Sequence, residues 1–185
     1  INPILKPIED APKISVCVPA RNEERGVGEC LKSLLSQNYP NFEVIAVDGH
    51  STDHTGAIMQ ALSEKNSNLK VLQGADLPDG WLGKPFALHQ AYKVAQGEFL
   101  LFTDADPVFK PMALNTAVHV MRERELGLLT LMPQAEFGSL WERTVQPVIF
   151  GFIASLTRFR NVNDPDHKSA MGFGAFLMFR RAAYE

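Results

Sequence analysis

The sequence predicts an α/β domain with a mostly parallel sheet covered by helices on both faces, and three observations carry that expectation. Short, β-branched apolar runs alternate with segments of helical period along residues 13–133. The strand-like runs are apolar at nearly every position, as strands buried on both faces must be. Polar residues gather just past the ends of the first, second and fourth of these runs: Arg21, Asn22 and Glu23, then Asp48, then Asp104 and Asp106.

"KISVCVPA", bounded by Pro12 and Pro19, reads as a buried strand. A helix should follow it. Asn22 is a suitable N-cap, Glu23 and Glu24 suit a positive first turn, and Val27, Leu31, Leu34 and Leu35 recur at helical spacing as far as "QNYP". "FEVIAV" repeats the strand signature. In "GHSTDHTG", Ser51 and Asp53 read as caps or solvated turn residues, and Ile58 and Leu62 stripe a second helix that ends near "KNSN". "LKVLQ" is a third strand and "GADLPDGWLG" a loop. "KPFALHQAYKVAQG" is a helix with an early Pro and a stop at Gly97, and "EFLLFT" is the fourth strand. A helix over Pro111 to Arg124 and a strand over "LGLLTLMP" come next. "SLWERTVQPVIFGFIASLTRF" is a long apolar helical stretch, expected as a core helix, with a membrane or another segment as the alternative cover. "NVNDPDHKSAMGFG" is a loop, and "FRRAAYE" begins a further helix.

With 185 residues, 45% hydrophobic and 21% charged, the chain can build one domain with a full core. The net charge of -3 is spread, and no Lys/Arg cluster is interleaved with aromatics, which argues against a nucleic-acid surface. Cys17 lies in a strand pattern and Cys30 in a helical one, so both are expected as buried free thiols in a reducing, cytoplasmic setting. No run approaches the roughly 20 apolar residues that span a bilayer, and no signal peptide is recognisable. Beginning at Ile1 and stopping at Glu185 as a helix starts, the chain reads as a fragment of a longer protein.

In an open parallel sheet the ligand sits outside the carboxyl ends of the strands, where loops converge and helix N-termini point. All three polar sets fall on that edge. Asp104 and Asp106, in "EFLLFTDADP", are two apart in extended chain, so both can approach one cation directly or through water. Carboxylates with few protein partners suit Mg2+ or Mn2+, which keep waters and take further ligands from substrate phosphates. His50 and His54 straddle a turn and a helix start without a Cys or Glu set nearby, which argues against zinc. Lys84, at a helix start after a Gly-containing loop, is placed to reach a phosphate or else is a surface lysine.

These residues carry a resemblance that spans most of the chain. "PARNEE" resembles the Pro-x-x-Asn-Glu segment of family 2 glycosyltransferases, "VDGHSTD" their Val-Asp-Asp-Gly-Ser-Thr-Asp segment, and "TDAD" their Asp-x-Asp motif, in the same order and spacing. The resemblance implies a single GT-A domain fragment, with a nucleotide-sugar half over 13–110 and the start of an acceptor half over 111–185. It implies that Pro19, Ala20, Arg21 and Glu23 border the nucleoside, Asp48 the base or ribose, and Lys84 the diphosphate. Asp104 would face the ribose, the donor sugar and the metal, and Asp106 would be the main metal ligand. Gly49 departs from the family, which commonly has there a second Asp that contacts uracil.

The implied reaction is inverting transfer from a nucleotide-diphosphate sugar, a UDP-sugar by the resemblance, to an acceptor hydroxyl, with Mg2+ or Mn2+ stabilising the leaving diphosphate. The catalytic base belongs to an acidic motif soon after the segment that "GFGAFLMFRRAAYE" resembles, which puts it beyond Glu185 and leaves this stretch able to bind donor but turn it over poorly. The loop "LPDGWLGKPFALHQA" and the stretch from Val145 to Phe159 are similar to members acting on lipids such as hopanoid or ceramide. That similarity implies a lipid acceptor and a full-length protein at the cytoplasmic face of a membrane.

Two rival readings fit some of the same residues. "LFTDADPV" also fits a haloacid-dehalogenase-type phosphatase, although that motif normally ends the first strand of its domain and three strands precede it here. A nucleotide-binding module without catalysis is the other. A dinucleotide-binding oxidoreductase is set aside, since no Gly-x-Gly-x-x-Gly follows the first strand.

Overall fold

The computed structural model describes residues 10–134, 140–156, 162, 164, 166–167 and 171–185. Its strands are β1 (Ile14–Ala20), β2 (Phe42–Asp48), β3 (Leu69–Gln73), β4 (Phe99–Phe102), β5 (Leu128–Thr130) and β6 (Leu177–Arg180). Its helices are α1 (Val27–Leu35), α2 (Thr55–Ser63), α3 (Gly83–Val94), α4 (Ala113–Glu123), α5 (Leu140–Leu156) and the single turn α6 (Arg181–Tyr184). The strands form one sheet in the order β3-β2-β1-β4-β6-β5.

β1 pairs in parallel with β2 on one side and β4 on the other, Ile14 standing between Phe42 and Phe99. Side chains along a strand alternate between faces, and the core divides accordingly. Ile14, Val16, Val18, Val44, Ala46, Phe99 and Leu101 pack under α1, α2 and α4. Cys17, Ile45, Val47, Leu100 and Phe102 pack under α3. α1 buries Val27, Cys30, Leu31 and Leu34, and α4 buries Leu114, Ala117, Val118 and Met121, each at the spacing of one helix face. Each such leucine withdraws enough apolar surface to contribute about 2 kcal/mol. α3 meets the sheet through the small side chains Ala87 and Ala91.

Four sequence expectations are corrected. Asn22 is not the N-cap of α1: it takes a left-handed φ of 55°, and the helix begins five residues later at Val27, with Glu29 as the acid of its first turn. α3 ends at Val94 rather than at Gly97. The segment expected to open a helix at "FRRAAYE" first forms β6, which runs antiparallel between β4 and β5 and makes the sheet mixed. The long apolar stretch is indeed helical as α5, but it is not a core helix: Leu140 is 80% exposed, Trp141 78%, Val148 69% and Phe152 64%. The remainder of that stretch, 157–159, lies outside the described residues. No helix among the described residues is long and apolar enough to cross a membrane.

Beyond residue 111, β5 and β6 continue the same sheet, and Leu114, Ala117, Val118 and Met121 of α4 join the core that α1 enters. Both cysteines are free and buried. Burial pushes each thiol up to about 12, helped by the charge of Glu43 at Cys17 and by Asp106 and Asp104 at Cys30.

At the amino edge, the Ser15 hydroxyl donates to Glu43 Oε1 at 2.6 Å and accepts the N–H groups of Gly97 at 2.7 Å and Gln96 at 3.1 Å. Gly97 passes so close to β1 that a Cβ there would lie 2.5 Å from Ser15 N and 2.7 Å from Phe99 O. Neither neighbour is a side chain that could turn aside.

Gly97→Ala is therefore expected to destabilise the domain by about 2–3 kcal/mol, read as a lower denaturant midpoint with an unchanged slope. A midpoint within error of wild type would show that β4 can shift away from β1. Ellman's reagent at pH 8 should label neither cysteine in the native protein and both in guanidinium chloride, since a buried, fully protonated thiol is a poor nucleophile.

Candidate active site

The parallel pairing of β1 with β2 runs out at Ala20 opposite Asp48, so the loops that leave these strands emerge side by side. β4 ends one strand over, and Thr103, Asp104, Ala105 and Asp106 leave along the same edge. A cavity of about 470 Å³ opens there between the loops and the start of α3. Pro19, Ala20, Arg21, Glu23, Lys84, Asp104 and Asp106 all line it, each a residue singled out from sequence.

Asp48 is the exception. It is only 7% exposed and does not line the cavity. Its Oδ1 accepts the N–H of Ser51 at 3.0 Å, and its other oxygen lies against Gly56 in the first turn of α2, where a Cβ would approach to 2.8 Å. The carboxylate therefore sits at the positive end of α2 and shapes the turn, while the next residue, Gly49, reaches the cavity. A Cβ on Gly49 would lie 3.5 Å from the Cβ of Arg21, so the Arg21 stem occupies the space beside the position where the family's second Asp would stand.

Asn22, Ser51 and Asp53, read from sequence as caps or turn residues, tie the two loops to each other, and Asp53 also keeps the turn role, its Oδ1 accepting the N–H of Thr55 at 3.0 Å. Asn22 N–H donates to Ser51 Oγ at 3.0 Å, and Thr52 N–H donates back to Asn22 Oδ1 at 2.8 Å. Glu23 N–H donates to Thr55 Oγ1 at 2.8 Å and Glu24 N–H to Asp53 Oδ2 at 3.2 Å. The Glu24 carboxylate takes the His54 backbone N–H at 3.1 Å and lies 2.9 Å from His54 Nδ1, contacts that hold it below the usual glutamate range. The left-handed turn at Asn22, which Asn tolerates better than most residues, aims its backbone and side chain at this partner loop. Arg21 and Glu23 are thereby presented from a braced loop. His54 is engaged with Glu24, and His50 faces Asp76 at 3.8 Å.

Asp104 and Asp106 stand at the cavity mouth in different states. Lys84, at the start of α3, forms an ion pair with Asp104 Oδ1. Asp106 is exposed and accepts no hydrogen bond from any described residue. Beneath them, the Cys30 thiol lies 3.7 Å from the Asp104 carbonyl, and Thr103 Oγ1 donates to Ala175 O at 2.7 Å, which fixes the end of β4 to the approach of β6. Among the described residues no group of three or more His, Cys, Asp or Glu could enclose a metal ion. Two oxygen-donor carboxylates beside a cavity with room for phosphates do fit Mg2+ or Mn2+ completed by water and a diphosphate.

A second cavity, of about 930 Å³, shares Asp104 and Asp106 and extends the other way along Pro107, Phe109 and Lys110 to Pro133, Gln134 and Ala175. The acid pair thus separates two spaces.

Sequence reasoning missed two glycines. A Cβ on Gly26 would come within 3.3 Å of the Cα and Cβ of Asp106, and one on Gly174 within 3.5 Å of Lys84 Nζ. Gly26 lets α1 start directly under the acid pair, and Gly174 lets the chain pass over Lys84. Neither carries a local signal, because the neighbour that each lies against is distant in sequence.

The family model described as Glycosyl transferase family 2 matches residues 15–185. TarS of Staphylococcus aureus, a poly(ribitol-phosphate) beta-N-acetylglucosaminyltransferase, is 39% identical over 121 residues, which are 64% of this chain and 20% of that protein. Its 1–349 fragment in complex with UDP-GlcNAc superposes with a TM-score of 0.56 at 36% identity, covering 69% of this chain and 38% of that one. A beta-monoglucosyldiacylglycerol synthase of Nostoc is 36% identical over 116 residues, 61% of this chain and 24% of that protein. A mannosyltransferase from Pyrobaculum calidifontis, in complex with GDP-Man and Mn2+, matches in fold with a TM-score of 0.66 at 24% identity, over 92% of this chain and 45% of that one. The chain spans less than half the length of each of these proteins. With a GT-A sheet whose carboxyl edge carries the Asp-x-Asp pair, and with the family pattern running through 171 of its 185 residues (15–185), the chain belongs to glycosyl transferase family 2.

Proposed function

We propose that the protein is an inverting, metal-dependent glycosyltransferase that moves a sugar from a UDP-sugar to an acceptor hydroxyl. The observation that carries this reading is the convergence of Arg21, Glu23, Lys84, Asp104 and Asp106, from two loops and the start of α3, on one cavity. The UDP-GlcNAc complex of TarS supports a uridine donor. A phosphatase reading would need Asp104 at the end of its domain's first strand, whereas β4 is the fourth strand of this chain.

In this mechanism the nucleoside lies along Pro19, Ala20, Arg21 and Glu23, with Asp48 setting the turn behind it. Lys84 holds the diphosphate. Asp106, with Asp104, would hold Mg2+ or Mn2+, which when bound would supply positive charge against the leaving diphosphate. Asp104 and Lys84 are oriented before the reaction by α3 and β4, so little reorganisation accompanies that charge development. The acceptor hydroxyl enters from the second cavity, on the far side of the acid pair from the nucleoside, which suits attack opposite the leaving group. Among the described residues, the acids that line that cavity are Asp104 and Asp106, both engaged with the donor. On the family resemblance, the base is proposed to lie in an acidic motif beyond Glu185.

A lipid acceptor is supported by the exposed apolar side chains of α5 and by the beta-monoglucosyldiacylglycerol synthase among the relatives. The protein would then work at the cytoplasmic face of a membrane, consistent with two unpaired cysteines.

Calorimetric titration should show UDP binding in Mn2+ that weakens on adding EDTA, and Asp106→Ala should weaken it on the order of tenfold or more, about 1.4 kcal/mol. A parallel GDP titration tests the base, since Gly49 leaves uracil without the family's second Asp. Equal UDP affinity in Mn2+, in EDTA and in the variant would sink the metal-dependent reading.

A further inference from the structure

We infer that Lys84 serves as the resident cation of the nucleotide-free site, exchanging Asp104 for the donor diphosphate, so that the acid pair becomes available to a divalent ion only when nucleotide arrives. The inference rests on the donor-site reading and adds an order to it. Three features of the site support it.

The Lys84 ammonium is ion-paired to Asp104 Oδ1, yet both groups line the cavity and remain partly exposed, at 52% and 34% of their side chains. Neither is locked in the core, so the pair can part. The covering turn is also permissive: a Cβ on Gly174 would lie 3.5 Å from Lys84 Nζ and 3.6 Å from Asp104 Oδ2, ordinary contact distances, so the backbone there does not clamp the pair. Finally, the described residues include no third acid, histidine or thiol that could complete a metal site.

Charge sets the order of binding. While Lys84 neutralises Asp104, Asp106 is the member of the acid pair left unengaged, and a divalent ion approaching it also meets the ammonium. A diphosphate reverses both effects. It offers Lys84 more anionic oxygens than one carboxylate can, which frees Asp104, and it brings metal ligands of its own. Lys84 should therefore oppose metal binding in the free protein and favour nucleotide binding, and the two ligands should strengthen each other by the same factor in either order. No bond is made or broken; the exchange is one of ion-pair partners.

The test is Mn2+ binding, read by the loss of free-ion signal in electron paramagnetic resonance, with and without UDP, in wild type, Lys84→Met and Lys84→Met/Asp104→Asn. Lys84→Met is expected to raise Mn2+ affinity without nucleotide by roughly tenfold and to shrink the gain in Mn2+ affinity that UDP brings by a similar factor. The double variant should lose the first effect, because the liberated carboxylate is gone. Arg21→Met removes a positive charge from the same cavity without touching the ion pair and should change Mn2+ affinity less. The exchange is overturned if Lys84→Met binds Mn2+ alone no better than wild type, or if Arg21→Met matches its gain. A wild type that binds Mn2+ and UDP together while Lys84→Met gains nothing overturns the exchange alone; a wild type that binds no UDP overturns the donor site as well.

Discussion

Everything at the site depends on β1 being hydrogen-bonded in parallel to β2 and β4 at once. Parallel pairing sends all three chains out of the sheet at the same edge, and the shared register at Ile14, Phe42 and Phe99 sets how far each projects. Ala20 and Asp48 end level with each other, and the shorter β4 stops at Phe102, opposite Cys17, so the acid pair begins lower and rises past the loops after β1 and β2. Without that stagger, the loops and the acid pair would not enclose a common space.

The loops themselves are irregular and would be mobile if they relied on the sheet alone. Here the loop after β1 and the loop after β2 satisfy one another's polar groups, through Asn22 with Ser51 and Thr52, and through Glu24 with Asp53 and His54. Much of this bonding is to backbone N–H groups, so it fixes chain paths rather than only side-chain positions. α1 supports the acid pair from beneath, with Gly26 against Asp106 and Cys30 against Asp104. The result is a braced edge around the first cavity, beside a larger second one.

The succession of β1 to β4, the two helical stripes and the polar residues that line the first cavity are legible in the sequence, because period and position after a strand are local properties. Asp48 is legible only in part: its position after β2 is correct, but its side chain turns back to the start of α2, a choice made by the Ser51 turn and the space at Gly56. Asn22 has the composition of a cap, yet tertiary bonds to Thr52 and Ser51 outweigh local helix-starting chemistry. β6 escapes notice because "LMFR" is too short and unbalanced to announce a strand by itself; it is recruited by the open edge of β4. α5 carries the apolar content of a core helix, and content alone does not say what covers it.

The antiparallel β6 also bears on how the chain is made. Phe102 pairs with Leu177 and Phe99 with Arg180, so one side of β4 is filled only by residues near the far end of this sequence. During synthesis from the N-terminus, β1 to β4 can assemble long before that partner emerges, leaving "FLLF" as an uncharged, unpaired margin of the sheet. A ribosome stalled before Leu177 would carry a nascent domain with the carboxyl edge of β1, β2 and β4 in place and an adhesive flank, and would be a natural client for a holding chaperone.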